Sequence, residues 1–454
     1  MPPRTATWPD GSRRPTEPGT AAGRLELAPP GASRRYAGRP IHGKVLTLDG
    51  TDGQLKVLLL ENIHPDAAAR LGKDGYHVET AARALAEDEL IEAVADVHLL
   101  GIRSGTHVTE RVLAAAPSLL AVGAFCIGVN QIELPAASRR GIAVFNAPFS
   151  NTRSVVELAL AEIIGMTRRL TDKNAQMHAG VWDKSAAGSH EVRGRRLGIV
   201  GYGNIGGQLS VLAESLGMTV FFFDTADKLA LGNARRCGTL EELLELSDVV
   251  TLHVDGRPGN SGMFGAAEFD AMRPGSLFLN LSRGFVVDHA ALRRNIESGK
   301  LAGAAVDVFP AEPRGRGEEF TSELRGLPNV ILTPHVGGST EEAQQDIGEF
   351  VAGKLHDYVC SGATSLSVNL PGVALPHTPG SHRLIHLHRN IPGVLATINQ
   401  VLAEHSVNIE GQLLGTRDDL GYVLTDVGTE YTDDMLASLR DLDVTIRLRT
   451  TRPA

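Results

Sequence analysis

Cysteine is scarce in this chain of 454 residues. Its three cysteines, Cys126, Cys237 and Cys360, lie far apart and show no paired spacing. Such spacing favours neither a zinc site nor a disulfide framework. We therefore expect a protein of a reducing, cytoplasmic compartment that carries no structural metal.

Long apolar runs and an excess of positive charge are also absent. The most apolar helical stretch, "VVELALAEIIGM" from Val155, is interrupted by Glu157 and Glu162, so it is shorter than the roughly 20 apolar residues of a membrane span. The formal net charge of −9 provides no general attraction to nucleic acid. We expect neither a membrane nor a nucleic acid as partner, and any phosphate site has to be local.

Residues 1–43 have a composition of their own, rich in Pro, Gly, Arg, Ser and Thr and without apolar periodicity. This composition predicts a disordered N-terminal extension. Its arginines would also suit a transit peptide or a phosphate-binding arm, but no amphipathic helix pattern supports either.

Short apolar strands alternate with helical stretches from Lys56 onward, which predicts an α/β fold with parallel sheets covered on both faces. Four strands, "KVLLLEN", "VHLLGIRS", "SLLAVGAF" and "GIAVFNAP", predict a flavodoxin-like substrate-binding domain of residues 44–150 and 338–380. Six further strands, from "LGIVGYG" to "NVILTPHV", predict an inserted Rossmann-type, doubly wound domain of residues 151–337.

The pattern changes after "SVNLPGVALPHTPGS", whose three prolines mark a linker. Residues 381–454 then read strand, helix, two strands, helix and strand. The order βαββαβ predicts a small ferredoxin-like domain at the C-terminal end.

A glycine motif follows the first strand of the predicted Rossmann-type domain. Gly201, Gly203 and Gly206 have G-x-G-x-x-G spacing and open a helix, and the next strand ends in Asp224. In a dinucleotide site the glycines allow a tight turn, close approach of the pyrophosphate and helix packing, while the acid binds a ribose 2′-hydroxyl. A carboxylate would repel a 2′-phosphate, so the motif favours NAD over NADP. The alternative is a tight strand-to-helix turn followed by a surface acid.

Polar residues end the later strands of this unit: Ser282 and Arg283, Asp307 and Glu312, and His335. In open α/β sheets ligands bind at the carboxyl ends of the strands, so these side chains are expected to converge. A histidine suits a base for alcohol oxidation, an arginine can bind a carboxylate through two parallel bonds, and a glutamate can orient the imidazole. Separately, the arginine could be a surface ion pair, the glutamate a loop acid and the aspartate a turn cap.

With these motifs the chain resembles the D-2-hydroxyacid dehydrogenases, and within them the bacterial D-3-phosphoglycerate dehydrogenases with a C-terminal ACT domain. The resemblance includes "FCIGVNQIEL", "VFNAPFSNTRSVVELA", "DVFPAEP" and "TPHVGGSTEEAQ". It implies a catalytic trio of Arg283, Glu312 and His335, with His335 as acid/base. It implies that NAD is bound by the glycines, Arg283 and His335 together with Asn204, Ile205, Asp224, Leu281, Ser282, Asp307, Gly337 and Gly338.

The resemblance also implies a substrate and a reaction. The family oxidises 3-phosphoglycerate to 3-phosphohydroxypyruvate with NAD, the first step of L-serine synthesis, and some members reduce 2-oxoglutarate to 2-hydroxyglutarate. The matching substrate positions are Arg103, Ser104, Asn151, Arg153, Lys184 and Arg283. Gly105 stands where the family often has a second arginine, so we expect fewer cationic contacts to the phosphate.

The terminal domain is expected to bind L-serine as a feedback inhibitor between two subunits, through His388, Asn390 and Asn408. The resemblance implies a homotetramer. Two alternatives remain: a glycerate or hydroxypyruvate reductase on the same fold, and a NAD-sensing protein without enzyme activity that resembles a transcriptional corepressor.

Overall fold

The computed structural model describes residues 46–47, 54–313, 317–376, 378 and 380–451. The predicted N-terminal extension, residues 1–43, lies outside the described residues. Within them the strands form two parallel sheets, of five and seven strands, and one mixed sheet of five strands. Among these same residues no helix is long and apolar enough to cross a membrane.

The first parallel sheet has the strand order β3-β2-β4-β5-β6. Strands β4, β5 and β6 are buried throughout because helices cover both faces. Strand β3 is an addition to the prediction: it is an exposed edge strand without an apolar pattern, so the sequence offers no signal for it. The elements are β1 (Leu46–Thr47, part of the mixed sheet), β2 (Lys56–Leu59), α1 (Pro65–Lys73), β3 (His77–Thr80), α2 (Glu87–Ala93), β4 (Leu99–Ile102), α3 (Glu110–Ala115), β5 (Ala121–Ala124), α4 (Leu134–Arg139) and β6 (Ala143–Asn146).

The second parallel sheet has the order β13-β12-β11-β10-β7-β8-β9. The chain direction across the sheet reverses between β7 and β10, which is the topological switch point at which such sheets bind ligands. The two-residue edge strand β9 was not predicted. The elements are α5 (Thr152–Thr167), α6 (Leu170–His178), β7 (Arg196–Val200), α7 (Asn204–Ser215), β8 (Thr219–Phe223), β9 (Arg235–Arg236), α8 (Leu240–Leu246), β10 (Val249–Leu252), α9 (Ala266–Ala271), β11 (Ser276–Asn280), α10 (His289–Glu297), β12 (Leu301–Val306) and β13 (Val330–Leu332).

Helix α11 (Glu341–Ser361) returns the chain to the first sheet, where Val351 and Leu355 join the core beneath β5. The hydroxyl of Thr340 caps its start by accepting the Ala343 N–H at 3.2 Å. Gly362 ends it in the left-handed conformation, with φ of 70°.

The mixed sheet has the order β1-β17-β14-β16-β15 and confirms the predicted βαββαβ domain. Helices α12 and α13 cover one face, where Leu384, Val423 and Leu448 are buried. On the other face Ile385 and Tyr422 join the core of the first parallel sheet. The elements are β14 (His382–Arg389), α12 (Val394–Glu404), β15 (Ile409–Arg417), β16 (Leu420–Val427), α13 (Asp433–Arg440) and β17 (Thr445–Thr451).

The proline-rich segment before β14 is packed rather than free. The Asn369 side chain accepts the Val144 N–H at 2.8 Å and donates to the Ile142 carbonyl at 2.9 Å, and Leu370 is fully buried. The segment therefore attaches the C-terminal domain to β6. The prolines of this segment predict irregular backbone. They do not predict that the segment is buried, because its burial depends on a strand more than two hundred residues earlier.

Candidate active site

The glycine turn follows β7 and is shaped by close backbone contacts. Gly201 has φ of 92°, and a Cβ atom there would lie 2.7 Å from the His253 carbonyl oxygen. A Cβ at Gly206 would overlap the Gly201 carbonyl. A Cβ at Gly203 would meet nothing within 4 Å. Two of the glycines are thus required by the protein itself, while the space beside Gly203 fits a pyrophosphate at the start of α7.

Asp224 follows β8, beside this turn. One carboxylate oxygen accepts the Tyr202 N–H at 2.8 Å and the other accepts the Ala226 N–H at 2.8 Å. The carboxylate is therefore held at the rim of the glycine turn, at the position from which it can bind ribose hydroxyls. Together with the open space at Gly203, this arrangement fits NAD.

The other predicted cofactor residues lie around the same edge of the sheet. Asn204 and Ile205 form the first turn of α7. Ser282 donates its hydroxyl and its N–H to the side-chain oxygen of Asn280, at 2.8 and 3.1 Å. The side chain of Leu281 is buried in the domain core, so it does not line an open cleft.

Asp307, at the end of β12, holds the loop that carries His335. Its carboxylate accepts three hydrogen bonds, from the Thr333 hydroxyl at 2.6 Å, the Val336 N–H at 2.8 Å and the Gly337 N–H at 2.8 Å. His335 itself has φ of 53°. A left-handed non-glycine residue is strained and persists where its surroundings fix it. The buried Asp307 provides that constraint.

His335 and Glu312 form a pair. The Nδ1 atom of His335 lies 2.8 Å from Oε2 of Glu312, whose other oxygen accepts the Phe309 N–H at 3.0 Å. The hydrogen bond to Glu312 raises the pKa of His335, against the opposing effect of burial. Burial would raise the pKa of Glu312, but hydrogen bonds from His335 and Phe309 hold it below its usual value. The pair thus favours a protonated imidazole beside an ionised carboxylate.

Arg283 reaches the cleft between the two parallel sheets. Its Nη1 donates to the Ser282 carbonyl at 2.6 Å, and its own carbonyl accepts from Asn280 at 3.1 Å. A Cβ at Gly256 would lie 3.3 Å from its Nε, and one at Gly128 would lie 3.6 Å from its Nη2. Gly128 follows β5 of the first parallel sheet, so the guanidinium lies between the two sheets. Its Nε and Nη2 have no hydrogen bond among the described residues and can bind an anion.

The predicted substrate residues are only partly brought together. Arg103 and Ser104 follow β4. Gln131 connects this segment to the loop of Gly128, because its side-chain amide donates to the carbonyls of Arg103 and Gly128 at 2.8 and 3.2 Å. Asn151 contacts Gly338 in the loop after His335.

Two other predicted substrate residues stand apart. Arg153 is paired with Glu157 at 2.5 Å on an exposed face of α5. Lys184 is exposed in the connection between α6 and β7, and among the described residues it has no hydrogen bond or ion pair with the cleft.

Sequence reasoning missed two residues of the site. A Cβ at Gly284 would overlap the Phe309 carbonyl, so this glycine lets the turn after β11 approach the loop of Glu312. Glu162 on α5 is buried, and neither of its carboxylate oxygens has a hydrogen-bond partner among the described residues. Burial and the nearby charge of Asp307 raise the pKa of Glu162 to about 8. The break that this residue makes in an apolar helical run was the available signal.

The predicted effector residues lie at two ends of the mixed sheet. His388 is buried near the end of β14, opposite Gly421, and Asn390 donates to the Asp418 carbonyl at 3.1 Å. Asn408 precedes β15, whose first residue pairs with Val427. Six strand positions separate Gly421 from Val427, about 20 Å at the usual rise. One chain therefore does not bring His388 and Asn408 together.

Two family models match the chain in the regions described above. Residues 160–337 match the NAD binding domain of D-isomer specific 2-hydroxyacid dehydrogenases. Residues 384–447 match the acetohydroxyacid synthase small subunit-like ACT domain.

Relatives extend the similarity to nearly the whole chain. D-3-phosphoglycerate dehydrogenase of Haemophilus influenzae is 51% identical over 397 residues, which is 87% of this chain and 97% of that relative. The enzyme of the same name from Escherichia coli strain K12 is 50% identical over 399 residues, with the same coverage. The chain belongs to the D-isomer specific 2-hydroxyacid dehydrogenase family. It is an NAD-dependent oxidoreductase with a C-terminal ACT domain.

Solved structures of this family share the two-sheet portion. The structure of D-2-hydroxyisocaproate dehydrogenase matches with a TM-score of 0.64 and 26% identity, and covers 69% of this chain and 100% of that chain. This confirms the predicted pairing of a dinucleotide-binding domain with a second α/β domain.

Proposed function

We propose that this dehydrogenase oxidises 3-phospho-D-glycerate to 3-phosphohydroxypyruvate with NAD, the first step of L-serine synthesis. The observation that carries the proposal is the His335–Glu312 pair at 2.8 Å, placed at the carboxyl edge of a sheet that also carries Arg283 and the dinucleotide turn. The names of the relatives at about half identity, which share the ACT domain region, support this substrate.

In this reaction His335 takes the proton of the substrate 2-hydroxyl, and Glu312 stabilises the resulting imidazolium. Arg283 binds the carboxylate next to the reacting carbon through its planar fork. NAD, when bound, supplies the hydride acceptor. Asp307 keeps the strained loop of His335 in place, so the base is positioned before the substrate arrives.

The phosphate is assigned to Arg103 and Ser104, with Asn151 beside the cleft. Gly105 provides no guanidinium, and Arg153 is already paired with Glu157. The substrate would therefore bind with fewer side-chain cations than a pair of arginines provides. Lys184 would contribute only from a second copy of the chain or after a movement of its loop.

Steady-state kinetics tests the substrate. Among alcohols oxidised with NAD we expect the highest kcat/KM for 3-phosphoglycerate, against glycerate and 2-hydroxyglutarate. With NADH we expect only slower reduction of 2-oxoglutarate and hydroxypyruvate, as side reactions. His335→Asn should lower kcat by about 10²- to 10⁴-fold. A preference for glycerate or hydroxypyruvate would favour the reductase alternative. NAD binding without turnover of any of these compounds would favour a NAD-sensing, corepressor-like protein.

We further propose that L-serine inhibits the protein at a site shared by two subunits, in a cytoplasmic homotetramer. His388 and Asn390 lie about 20 Å from Asn408 within one sheet, so an effector that contacts all three needs a second copy. Burial lowers the pKa of His388, which favours a neutral imidazole. Activity with and without millimolar L-serine, together with sedimentation analysis, tests both ideas. Full activity in serine would reject the inhibition.

A further inference from the structure

Glu61 connects two strand ends of the first sheet. It follows β2, and its carboxylate reaches the loop after the neighbouring strand β4. One oxygen accepts the N–H groups of Arg103 and Thr106, at 3.0 and 2.9 Å, and the other accepts the N–H of Gly105 at 2.8 Å. A single acidic side chain therefore orders the whole segment 103–106.

The backbone that presents this carboxylate is strained. Glu61 has φ of 62° and the next residue, Asn62, has φ of 50°. Two successive left-handed residues that are not glycine persist only where the surroundings fix them, and such strain is concentrated at functional sites. Here the three hydrogen bonds of the Glu61 carboxylate provide the constraint.

The same segment is held from its other side by Gln131. The buried Gln131 amide donates to the Arg103 carbonyl at 2.8 Å, while the Arg103 N–H donates to Glu61. Both peptide groups of Arg103 are thus occupied. Among the described residues the Arg103 guanidinium has no hydrogen bond or ion pair, so it remains available for an anion. Gln131 also donates to the carbonyl of Gly128, next to Arg283.

Gly105 permits the close approach. A Cβ at this position would lie 3.0 Å from the nearer Glu61 oxygen, which is closer than most side-chain contacts. The glycine that removes a cation from the phosphate site therefore also lets the carboxylate bind the loop backbone. Because Arg103 is the one cation in segment 103–106, binding of the phosphate depends strongly on where this arginine is held.

We propose that Glu61 is a positioning residue for the anionic substrate: its carboxylate orders segment 103–106 so that Arg103 and Ser104 meet the substrate phosphate. The proposal rests on the proposed 3-phosphoglycerate dehydrogenase function. Glu61 contacts neither the substrate nor NAD in this role. Its removal should therefore weaken substrate binding and leave the chemical step and NAD binding intact.

The test compares Glu61→Ala and Glu61→Gln with wild type and with Glu79→Gln, an exposed acid on the neighbouring strand β3. We expect Glu61→Ala to raise KM for 3-phosphoglycerate by about 10- to 100-fold, because three hydrogen bonds to a charged acceptor are lost. The kcat and the KM for NAD should change by less than about threefold. The KM of Glu61→Gln for 3-phosphoglycerate should lie between those of wild type and Glu61→Ala, because an amide has one acceptor oxygen for three donors. Glu79→Gln should match wild type.

Formate provides a second readout. Tens of millimolar sodium formate should lower the raised KM of Glu61→Ala, with sodium chloride at equal ionic strength as control, because a free carboxylate can accept the same N–H groups. An unchanged KM in the alanine variant would overturn the proposal. So would a lower KM, which would indicate that Glu61 acts by repelling the phosphate.

Loss of kcat and NAD binding together with a lower Tm in both variants would indicate a general structural role and would also overturn it. Failure of the wild-type enzyme to turn over 3-phosphoglycerate would instead reject the proposed function, so the two failures are distinguishable.

Discussion

The backbone N–H of His335 donates to the carbonyl oxygen of Asp307 at 2.8 Å, while the Asp307 carboxylate binds the residues on both sides of the histidine. The ends of β12 and β13 are thereby joined at the base of the loop that carries His335. In the proposed mechanism Glu312 supports proton transfer by His335, and Asp307 fixes its position. These two acids have different roles, which single substitutions can separate.

Glu312→Gln should move the pH profile of the oxidation. His335 has to be neutral to accept the hydroxyl proton, and its pKa is raised by the hydrogen bond to Glu312. The kcat/KM of wild type should therefore rise with pH above about 6.5, the ordinary histidine value. In Glu312→Gln this rise should occur at lower pH, and the plateau should fall by about 10- to 100-fold. Glu319→Gln, on the same loop, serves as control. A rise at the wild-type pH would contradict the assigned role.

Glu162→Gln should remove a pH dependence of stability. The folded-state pKa of Glu162 is about 8, above the ordinary value near 4.3. The folded protein therefore holds a proton that the unfolded chain has released. Wild-type stability should decrease as pH rises between these values, by roughly 3–5 kcal/mol.

Urea unfolding at pH 5 and pH 9 checks this prediction. Relative to wild type, the free energy of unfolding of Glu162→Gln should be higher at pH 9 than at pH 5. Glu157→Gln, an exposed acid on the same helix, should follow wild type. Equal differences at the two pH values would refute the prediction.

Asp224→Ser should relax the choice of dinucleotide. The carboxylate is held at the rim of the glycine turn by two N–H groups, and its charge disfavours a 2′-phosphate. We expect kcat/KM to fall with NAD and to rise with NADP, so that the ratio changes by about 10²-fold or more. Measuring kcat/KM for NAD and for NADP at saturating substrate checks this prediction. An unchanged ratio would mean that discrimination lies elsewhere.

Arg383→Met should destabilise the ACT domain. Arg383 and Asp426 form a two-bond ion pair at 2.6 and 2.7 Å, with both side chains fully buried. Loss of the arginine leaves a buried, unpaired carboxylate, at a cost of about 3–5 kcal/mol, and it also removes the donor to the carbonyls of Ser361, Leu375 and Pro376. The double variant Arg383→Met/Asp426→Leu should recover much of this loss in calorimetry. If the double variant is no more stable than the single one, the unpaired carboxylate is not the main cost, and the bonds of Arg383 to the three carbonyls account for the loss.

Much of the fold could be predicted because its signals are periodic and local. Parallel strands such as β4 and β10 are buried along their whole length and mostly apolar, since helices cover both faces. The edge strands β3 and β9 were missed because they are short, exposed and polar. The packed proline-rich segment was also missed, because its burial depends on Val144 and Ile142.

The candidate site likewise has one part that could be predicted from the sequence and one part that could not. The convergence of Arg283, Glu312 and His335 beyond a dinucleotide turn could be predicted from their places after successive strands, because parallel strands have their carboxyl ends at one edge. The ion pair of Arg153 and Glu157 is local, because the i,i+4 spacing on a helix makes it readable from the sequence. The distance of Asn408 from His388 and the bonds of Glu61 to the loop of Arg103 are different. They depend on packing between segments distant in sequence, which leaves no pattern in the order of residues.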